Sequence, residues 1–434
     1  MDTSFYYILF LIVTLSILFS WIRSESFFNP TSIFISWWGF FVFVSSLNLI
    51  GMRLPSMRTY NLIFLTMICF SIGSITFMNP KPIRSHKTSS KKIIFLKQHS
   101  SKIFLFFIFQ LIITLALLWF FGRTLHLLAT LEPGTIRGLV YSEDGIFENH
   151  NILVNYILRP SIFISIFISI SGVFLGVFKK RYMLIAFFNL LIYSLVVLGR
   201  SSIFMLMLSL IFGIIYVLSV KKIYFRKKYV FLFTLPLIFL IYMSIFRKSS
   251  SSQPVLTMLT NYSVWYLTGP FTAFDYFINT YRPNIDFEYS YFRGVVAGFE
   301  QMLFPFIKRT FSFYKDINSS FHEITAPFRS LGGPATHHNS HFTMLYTFYR
   351  DAGIIGIMLY SYLLGMIDAV VFNRFRKNTS IFNFTILILL TYLSVIGTMR
   401  WELRYSWGWL IIIGSFFVIK KFIVKKITIL GKNV

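Results

Sequence analysis

The chain has 434 residues, of which 56% are hydrophobic and only 13% are charged. Soluble domains have about 25% charged residues, and a surface this apolar would aggregate in water, which excludes an ordinary soluble protein. The formal net charge of +26 comes from Lys and Arg residues that lie between apolar runs rather than on one basic face, which argues against nucleic-acid binding. The single cysteine, Cys69, allows neither an internal disulfide nor a cysteine metal site.

Eleven apolar stretches approach or exceed the length that crosses a bilayer, about 20 helical residues. The first has neither a basic n-region nor a small-residue cleavage signal, so it is interpreted as a retained span. We therefore predict an all-α, polytopic membrane bundle of about eleven transmembrane helices, with residues 1–434 in one domain. The predicted spans are Phe5–Ile22, Pro30–Ile50, Tyr60–Met78, Ile103–Phe121, Tyr156–Phe178, Tyr182–Leu198, Ser202–Val220, Tyr229–Phe246, Ala352–Phe372, Ile381–Thr398 and Trp407–Ile419.

Positive charge is distributed unevenly over the connectors between these spans. The third connector alone carries seven Lys and Arg residues between Lys81 and Lys102, and such connectors stay in the cytoplasm. If successive connectors alternate between the two sides of the membrane, more than half of the 41 Lys and Arg residues lie in the cytoplasm and the acidic cluster Glu132–Glu148 lies outside. The N-terminus is then outside and the C-terminus inside, with Arg53 and Arg58 as the exceptions.

Two external segments are too long to be simple turns: residues 122–155 and the larger loop at residues 247–341. Loops of this length in compact proteins are usually functional. Within the larger loop, Leu259–Thr280 and Arg293–Ile307 combine aromatic residues with few charges, which is typical of helices at a membrane interface. We expect both to lie on the outer leaflet or to dip into it.

A block rich in histidine, Gly332–His341, closes the larger loop. If a helix begins within it, His337 and His341 lie on one face, four residues apart. Imidazoles, including that of His338, act as general bases or as donors to phosphate oxygens, whereas zinc binding lacks an obvious third ligand. The alternative is structural: the Gly-Gly-Pro turn and its polar neighbours cap the ninth span.

Arginines at the external ends of spans are the other candidates. Arg350 and Asp351 directly precede the ninth span, where they either anchor it or perform chemistry in the membrane. Arg200, in the hairpin between two spans, suits bidentate binding of a phosphate or simple anchoring among headgroups. Arg400 and Arg404 lie one helical turn apart in the last external connector and could share a face, although an ion-paired surface turn is the alternative.

No phosphate-binding P-loop, His-Glu-x-x-His motif or Ser-centred hydrolase elbow is present, so nucleotide-driven transport and zinc peptidase chemistry are unsupported. External arginines, with Arg293 of the large loop as a further candidate, instead suit an anionic, lipid-anchored substrate, because a departing diphosphate needs charge stabilisation. If a sugar hydroxyl attacks such a substrate and displaces the diphosphate, a base must accept its proton, and His, Asp or Glu can serve.

Asp368, inside the ninth span, is expected to pair with a base such as Arg374.

Several blocks resemble one family in their order along the chain. They are Phe28–Phe34 with Trp37-Trp38, Leu198–Ser202, Tyr266–Pro270 with Phe274–Tyr276, and His338–Gly356. Together with the span count and the dominant external loop, they are similar to the bacterial oligosaccharide repeat-unit polymerases, the Wzy-type O-antigen polymerases. The resemblance covers most of the chain. It implies an inner-membrane glycosyltransferase of O-antigen or lipopolysaccharide biosynthesis. Such an enzyme moves a growing glycan from undecaprenyl diphosphate onto the next undecaprenyl-diphosphate-linked repeat unit, at the extracytoplasmic face.

By the same resemblance, the essential external arginines of the family correspond to Arg200 and Arg350, and its histidine corresponds to His338. No cofactor and no metal are expected. The expected partners are the lipid-linked oligosaccharide, membrane lipid and a chain-length regulator protein, without nucleic acid. The predicted catalytic residues are His338, Asp351 and His337, and the predicted diphosphate-binding residues are Arg200, Arg350, Arg400, Arg404 and Arg293.

Two alternatives stay open. An O-antigen ligase has a similar external loop and similar Arg and His chemistry, and only the blocks at Phe28–Pro30 and Leu267–Pro270 favour the polymerase over it. A lipid-linked oligosaccharide flippase belongs to another class. It needs charges inside several spans, which are mostly uncharged here.

Overall fold

The computed structural model describes residues 3–79, 100–133, 135–136, 153–221, 234, 236–242, 255–310, 316–325, 327, 330–332 and 342–422. Within these ranges the chain is helical and contains no β-strand, apart from two isolated bridges. The helices are α1 (Thr3–Ser24), α2 (Pro30–Ser46), α3 (Met57–Phe77), α4 (Ser100–Leu128), α5 (Arg159–Phe174, preceded by the π-helical Leu153–Leu158), α6 (Lys180–Val196), α7 (Ser201–Lys221), α8 (Val255–Thr280), α9 (Ala297–Thr310), α10 (Ile317–Thr325), α11 (Met344–Lys377), α12 (Ile381–Ile396) and α13 (Ser406–Phe422).

Six of these helices are long and apolar enough to cross a membrane: α1, α3, α4, α5 with its π-helical start, α7 and α11. Three shorter ones, α2, α12 and α13, are also apolar. The prediction of a multi-pass helical membrane protein is confirmed. The count of eleven stays a prediction, because only residues 234 and 236–242 of the predicted span Tyr229–Phe246 belong to the described part of the chain.

Helices α3 and α11 pack backbone against backbone. A methyl group added at Gly73 would lie 2.1 Å from the carbonyl oxygen of Tyr362, and one added at Gly365 would lie 2.2 Å from that of Phe70. Helices in membranes approach this closely where small residues line the contact, because van der Waals packing rather than hydrophobic burial drives their association. These two glycines therefore set the spacing of the central helix pair.

Contacts between helix ends show which ends lie together. At one end, Nε of Arg23 in α1 donates to the carbonyl oxygen of Met78, just after α3 (3.0 Å). At the other end, Asp275 of α8 lies beside the start of α3, where its Oδ1 accepts from the N–H of Ser56 (2.8 Å) and from the hydroxyl of Thr59 (2.7 Å). The first end contains connectors that the charge pattern predicts to be cytoplasmic, and the second contains the predicted external loops.

The two helices predicted within the large loop are present, with shifted ends. Leu259–Thr280 corresponds to α8, which packs on α2 by placing Phe271 against Trp38 at 6.0 Å between ring centroids. Arg293–Ile307 corresponds to α9, which begins only at Ala297 because Tyr291 and Phe292 just before it have left-handed backbone angles (φ 43° and 75°). How deeply either helix enters a bilayer stays a prediction.

Helix α11 differs from the predicted ninth span, Ala352–Phe372. It runs from Met344 to Lys377 and is broken at Ala352 and Gly353, where φ is −155° and 59°. The predicted start is therefore the break itself. The apolar pattern detects the segment after the break, whereas the segment before it holds Arg350 and Asp351 and does not read as membrane-spanning.

The start of α11 lies deep in the bundle rather than at its edge. The N–H of Met344 donates to the carbonyl oxygen of Gly397, which follows α12 (2.7 Å). Near the end of α12, the carbonyl oxygen of Ser394 accepts from Nε1 of Trp38 (3.3 Å). Because Trp38 stands at the midpoint of α2, the end of α12 and the first turn of α11 meet α2 about halfway along its length.

The expectation that Asp368 pairs with a base such as Arg374 is wrong. Its carboxylate is 1% exposed, and Oδ2 accepts a hydrogen bond from the hydroxyl of Ser394 in α12 (2.7 Å). Helix packing turns Asp368 towards α12, whereas Arg374 is exposed. The residue therefore links α11 to α12 through a polar contact inside the bundle.

Candidate functional site

A cavity of about 440 Å³ lies among the predicted external segments. Residues 286–293 form one wall, α10 forms another, and Arg350 of α11 completes the lining. Three parts of the chain that are distant in sequence therefore converge on one polar space. Pockets that bind small molecules or cofactors commonly have this size and contain a few convergent polar groups.

Arg350 is buried in this lining, with only 2% of its surface exposed. Its Cζ lies 4.6 Å from the ring centroid of Phe287 and 4.7 Å from that of Phe321, and its Nη2 donates to Oγ of Ser320 (3.1 Å). Nε and Nη1 have no hydrogen-bond partner among the described residues. The neighbouring Tyr346 hydroxyl donates to the carbonyl oxygen of Phe321 (3.4 Å) and also interacts electrostatically with the Arg350 guanidinium. A buried cation with unused donors is costly unless an anion completes it.

Helix α10 also holds Arg404, which lies beside the same phenylalanine ring as Arg350. Nε of Arg404 donates to Oδ1 of Asn318 (2.8 Å) and Nη2 to Oγ1 of Thr325 (3.2 Å). Its Cζ lies 5.4 Å from the ring centroid of Phe321, the ring that Arg350 also contacts. The polar residues of one short helix thus hold two arginines beside a single aromatic ring.

Arg400 and Arg404 both contact the ring of Tyr405, and they do not lie on one face of a helix as predicted. Their Cζ atoms lie 5.7 Å and 5.5 Å from the ring centroid of Tyr405. Nε of Arg400 donates to Oε1 of the buried Glu402 (2.9 Å), so the last external connector contains the ion pair that the structural alternative expects. Burial lowers the pKa of Arg400, but Glu402 and Tyr405 raise it more, and the net pKa lies above the ordinary arginine value.

Arg293 lines the cavity and is held by Glu300. Its Nε donates to Oε2 at 3.1 Å and its Nη2 to Oε1 at 2.7 Å, a bidentate ion pair. Oε1 of Glu300 also accepts from the N–H of Ile317 at the start of α10 (3.2 Å). Arg293 therefore fixes the position of α10 relative to the cavity wall.

Asp351 is fully buried and anchors that wall to α11. Its Oδ1 accepts from the hydroxyl of Ser290 and from the N–H of Gly294 (2.7 Å), and its Oδ2 accepts from the N–H of Val295 (2.8 Å). A carboxylate with three such donors is well suited to hold a loop in place. A Cβ at Gly294 would lie 2.6 Å from Oδ1 of Asp351, so only glycine permits this contact.

Tyr289 lies over the break in α11. Its hydroxyl oxygen would be 3.0 Å from a Cβ placed at Gly353, and its ring packs edge-on against Phe287 and Tyr291, at 6.0 Å and 6.2 Å. Burial, followed by the neighbouring Tyr349 and Tyr291, raises the pKa of Tyr289 above the ordinary tyrosine value. At neutral pH the phenol is therefore protonated and can donate a hydrogen bond into the cavity.

Arg200 lies outside the described lining of this cavity. Its Nη2 donates to the hydroxyl of Tyr266 in α8 (3.2 Å), and its Cζ lies 5.4 Å from the same ring. His337 and His338 lie outside the described residues. The structure therefore groups Arg293, Arg350, Asp351 and Arg404 around α10 and connects Arg400 to them through Tyr405; Arg200 is held against α8.

Several residues of the site are not singled out by the sequence. Ser320, Phe287 and Phe321 bind Arg350, yet Phe287 and Phe321 are two of 54 phenylalanines and Ser320 lies in a short polar segment. Asp316 caps that segment by accepting at Oδ1 from the N–H of Asn318 (3.1 Å). The local signals of this helix are the aspartate before it and the apolar Ile317, Phe321 and Ile324, which recur at helical spacing.

No known protein family matches this chain, and neither does any curated protein or solved structure. Within the described ranges, no group of three or more His, Cys, Asp or Glu side chains is placed to hold a metal ion. The fold and the site define the class: a multi-pass helical membrane protein with a polar cavity built on a buried arginine.

Proposed function

We propose that this protein is a glycosyltransferase that polymerises undecaprenyl-diphosphate-linked repeat units into O-antigen or a related surface polysaccharide. It acts at the extracytoplasmic face of the bacterial inner membrane. The proposal rests on the Arg350 site, where two nitrogens of a buried guanidinium have no hydrogen-bond partner within the described ranges and the residue lines a cavity of a membrane protein. Guanidinium groups bind phosphate oxygens through two parallel N–H donors, which a diphosphate linked to lipid would satisfy.

In the proposed reaction, a hydroxyl of the acceptor sugar attacks the anomeric carbon of the donor glycan. The new glycosidic C–O bond forms as the bond between that carbon and the diphosphate oxygen breaks. Arg350 stabilises the charge that develops on the departing undecaprenyl diphosphate, with Arg404 as a second cation beside the Phe321 ring. A base accepts the hydroxyl proton, a role that imidazole chemistry allows for His337 and His338.

The three donors on Asp351 favour a positioning role for this carboxylate, which holds residues 290–295 against α11. Arg293, paired with Glu300, positions α10 in the same way. Arg200 and Arg400 remain proposed contacts to the substrate outside the described lining. The partners are the lipid-linked oligosaccharide, membrane lipid and a chain-length regulator.

Deletion of the gene in its host tests the proposal. We expect surface glycan with a single repeat unit on the lipid core in place of a ladder of lengths. A normal ladder would contradict the proposal. Long polymer retained on the carrier lipid would indicate a ligase instead, and lipid-linked units trapped at the cytoplasmic face would indicate a flippase.

A further inference from the structure

The cavity has opposite charges at its two ends. Its buried floor is Arg350, whose Nε and Nη1 have no hydrogen-bond partner in the described part of the chain. The lining residues that stay exposed include three carboxylates, Asp286, Glu288 and Glu323. Exposed lining residues stand at the opening of a cavity and buried ones at its depth, so the cavity is cationic at the floor and anionic at the mouth.

The other cation of the described lining is already compensated. Arg293 also lines the cavity, but its guanidinium forms a bidentate ion pair with Glu300, which is not part of the lining. Asp286 is fixed in a tight turn, because its Oδ2 accepts from the N–H of Arg282 (2.7 Å). Among the described lining residues, the three carboxylates therefore leave the mouth with a net negative charge.

We propose that the three mouth carboxylates select the sugar bonded to the diphosphate, admitting a neutral or amino sugar and rejecting a uronic acid. This inference rests on the proposed function. With the diphosphate on Arg350, the polar mouth suits the attached sugar, while the lipid chain requires an apolar environment. Neutral hydroxyls donate to the carboxylates, and an ammonium group is attracted to them.

A uronate places its own carboxylate among like charges. Two like unit charges about 4 Å apart in water weaken binding by about fivefold, and partial burial increases the effect. Exposed tyrosines at the mouth, such as Tyr291, add a flat surface that is compatible with any sugar. Discrimination therefore depends on charge rather than on the shape of the sugar ring.

The test compares two probes that share lipid and diphosphate: farnesyl diphosphate linked to N-acetylglucosamine and farnesyl diphosphate linked to glucuronic acid. Binding of each is titrated to the full chain purified in detergent. We expect the wild type to bind the N-acetylglucosamine probe at least about tenfold more tightly. In the combined variant Asp286→Asn, Glu288→Gln, Glu323→Gln, we expect a ratio within about twofold, because affinity for the glucuronic probe rises.

A gain of affinity cannot result from misfolding, so the variant is informative even if it is less stable. Glu132→Gln is the matched control, since Glu132 is an exposed carboxylate outside the described lining, and it should keep the wild-type ratio. Equal binding of both probes by the wild type, or an unchanged ratio in the combined variant, overturns this inference and leaves the proposed function standing. Failure of the wild type to bind either probe overturns both.

Discussion

The Arg350 guanidinium is surrounded by protein on several sides and still has unused donors. Two phenylalanine rings and one serine hydroxyl contact it, whereas Nε and Nη1 have no acceptor among the residues that the structure describes. Cation–π contacts and one hydrogen bond compensate part of the cost of burying a charge. Under the proposed function, the bound diphosphate compensates the remainder, which makes this residue the most sensitive point of the proposed site.

Arg350→Lys keeps the charge but removes the planar, two-pronged donor. We expect polymer in a complemented deletion strain to fall by at least about 100-fold, the effect of losing one transition-state donor, while the protein level in the membrane is maintained. Glycan gels and immunoblots of membranes measure both quantities. Arg282→Lys is the control, an exposed arginine beside the same wall that should give a normal ladder. A normal ladder from Arg350→Lys would remove this residue from the site.

Asp351→Asn tests whether that carboxylate positions the wall or takes part in chemistry. The amide keeps the shape but turns an NH2 group towards one of the donors, and a buried donor left unpaired costs about 1–3 kcal/mol. We expect a lower melting temperature in detergent together with loss of polymer. Glu25→Gln, an exposed carboxylate at the opposite end of the bundle, should leave the melting temperature unchanged. Loss of polymer at an unaltered melting temperature would assign Asp351 to the chemistry.

At the scale of elements, the contact between α3 and α11 holds the central pair together. Gly73→Ala places a methyl 2.1 Å from a backbone carbonyl oxygen, which cannot move without shifting the whole helix. We expect this variant to melt at a lower temperature or to fail to accumulate. Gly122→Ala in α4 meets nothing within 4 Å, and it should be neutral or stabilising by up to about 1 kcal/mol. Both are measured by thermal unfolding in detergent, and equal melting temperatures would contradict the close packing.

The apolar elements could be predicted from sequence to within a few residues. Phe5–Ile22 corresponds to α1 and Ile381–Thr398 to α12, because a bilayer requires long uncharged stretches wherever helices cross it. The break at Gly353 could not be predicted, since Ala352-Gly353 stands where the apolar pattern begins and nothing in the sequence indicates that a helix already precedes it. Its cause is tertiary: the preceding segment is held by a loop that is distant in sequence.

The arginines of the site could be predicted from the sequence, whereas the segments that bring them together could not. External charge identified Arg350 and Arg404, because charges near a membrane interface are sparse enough to stand out. That both contact Phe321 depends on where α10 packs, and its own pattern, with the apolar Ile317, Phe321 and Ile324 on one face, does not reveal which segments it meets. Contacts between segments this far apart in sequence follow from packing, which residue patterns do not encode locally.

At the scale of the whole molecule, charge and helix pairing predict the same orientation. Arg23 and Met78 mark one end of the bundle, and Ser56 and Asp275 the other. A membrane-impermeant thiol reagent applied to intact spheroplasts should label Asn284→Cys and not Lys377→Cys. Both positions are exposed, and the native Cys69 is buried. Labelling of Lys377→Cys alone would reverse the orientation and place the cavity in the cytoplasm.

The most direct measurement uses the purified full chain with undecaprenyl-diphosphate-linked repeat units in detergent or vesicles, without added nucleotide. The bond to the diphosphate already stores the energy for transfer. We therefore expect a ladder of lipid-linked polymers from the wild type and none from Arg350→Lys. Repeat units left unextended by an active wild-type preparation, or extension that Arg350→Lys leaves intact, would contradict a polymerase built on this arginine.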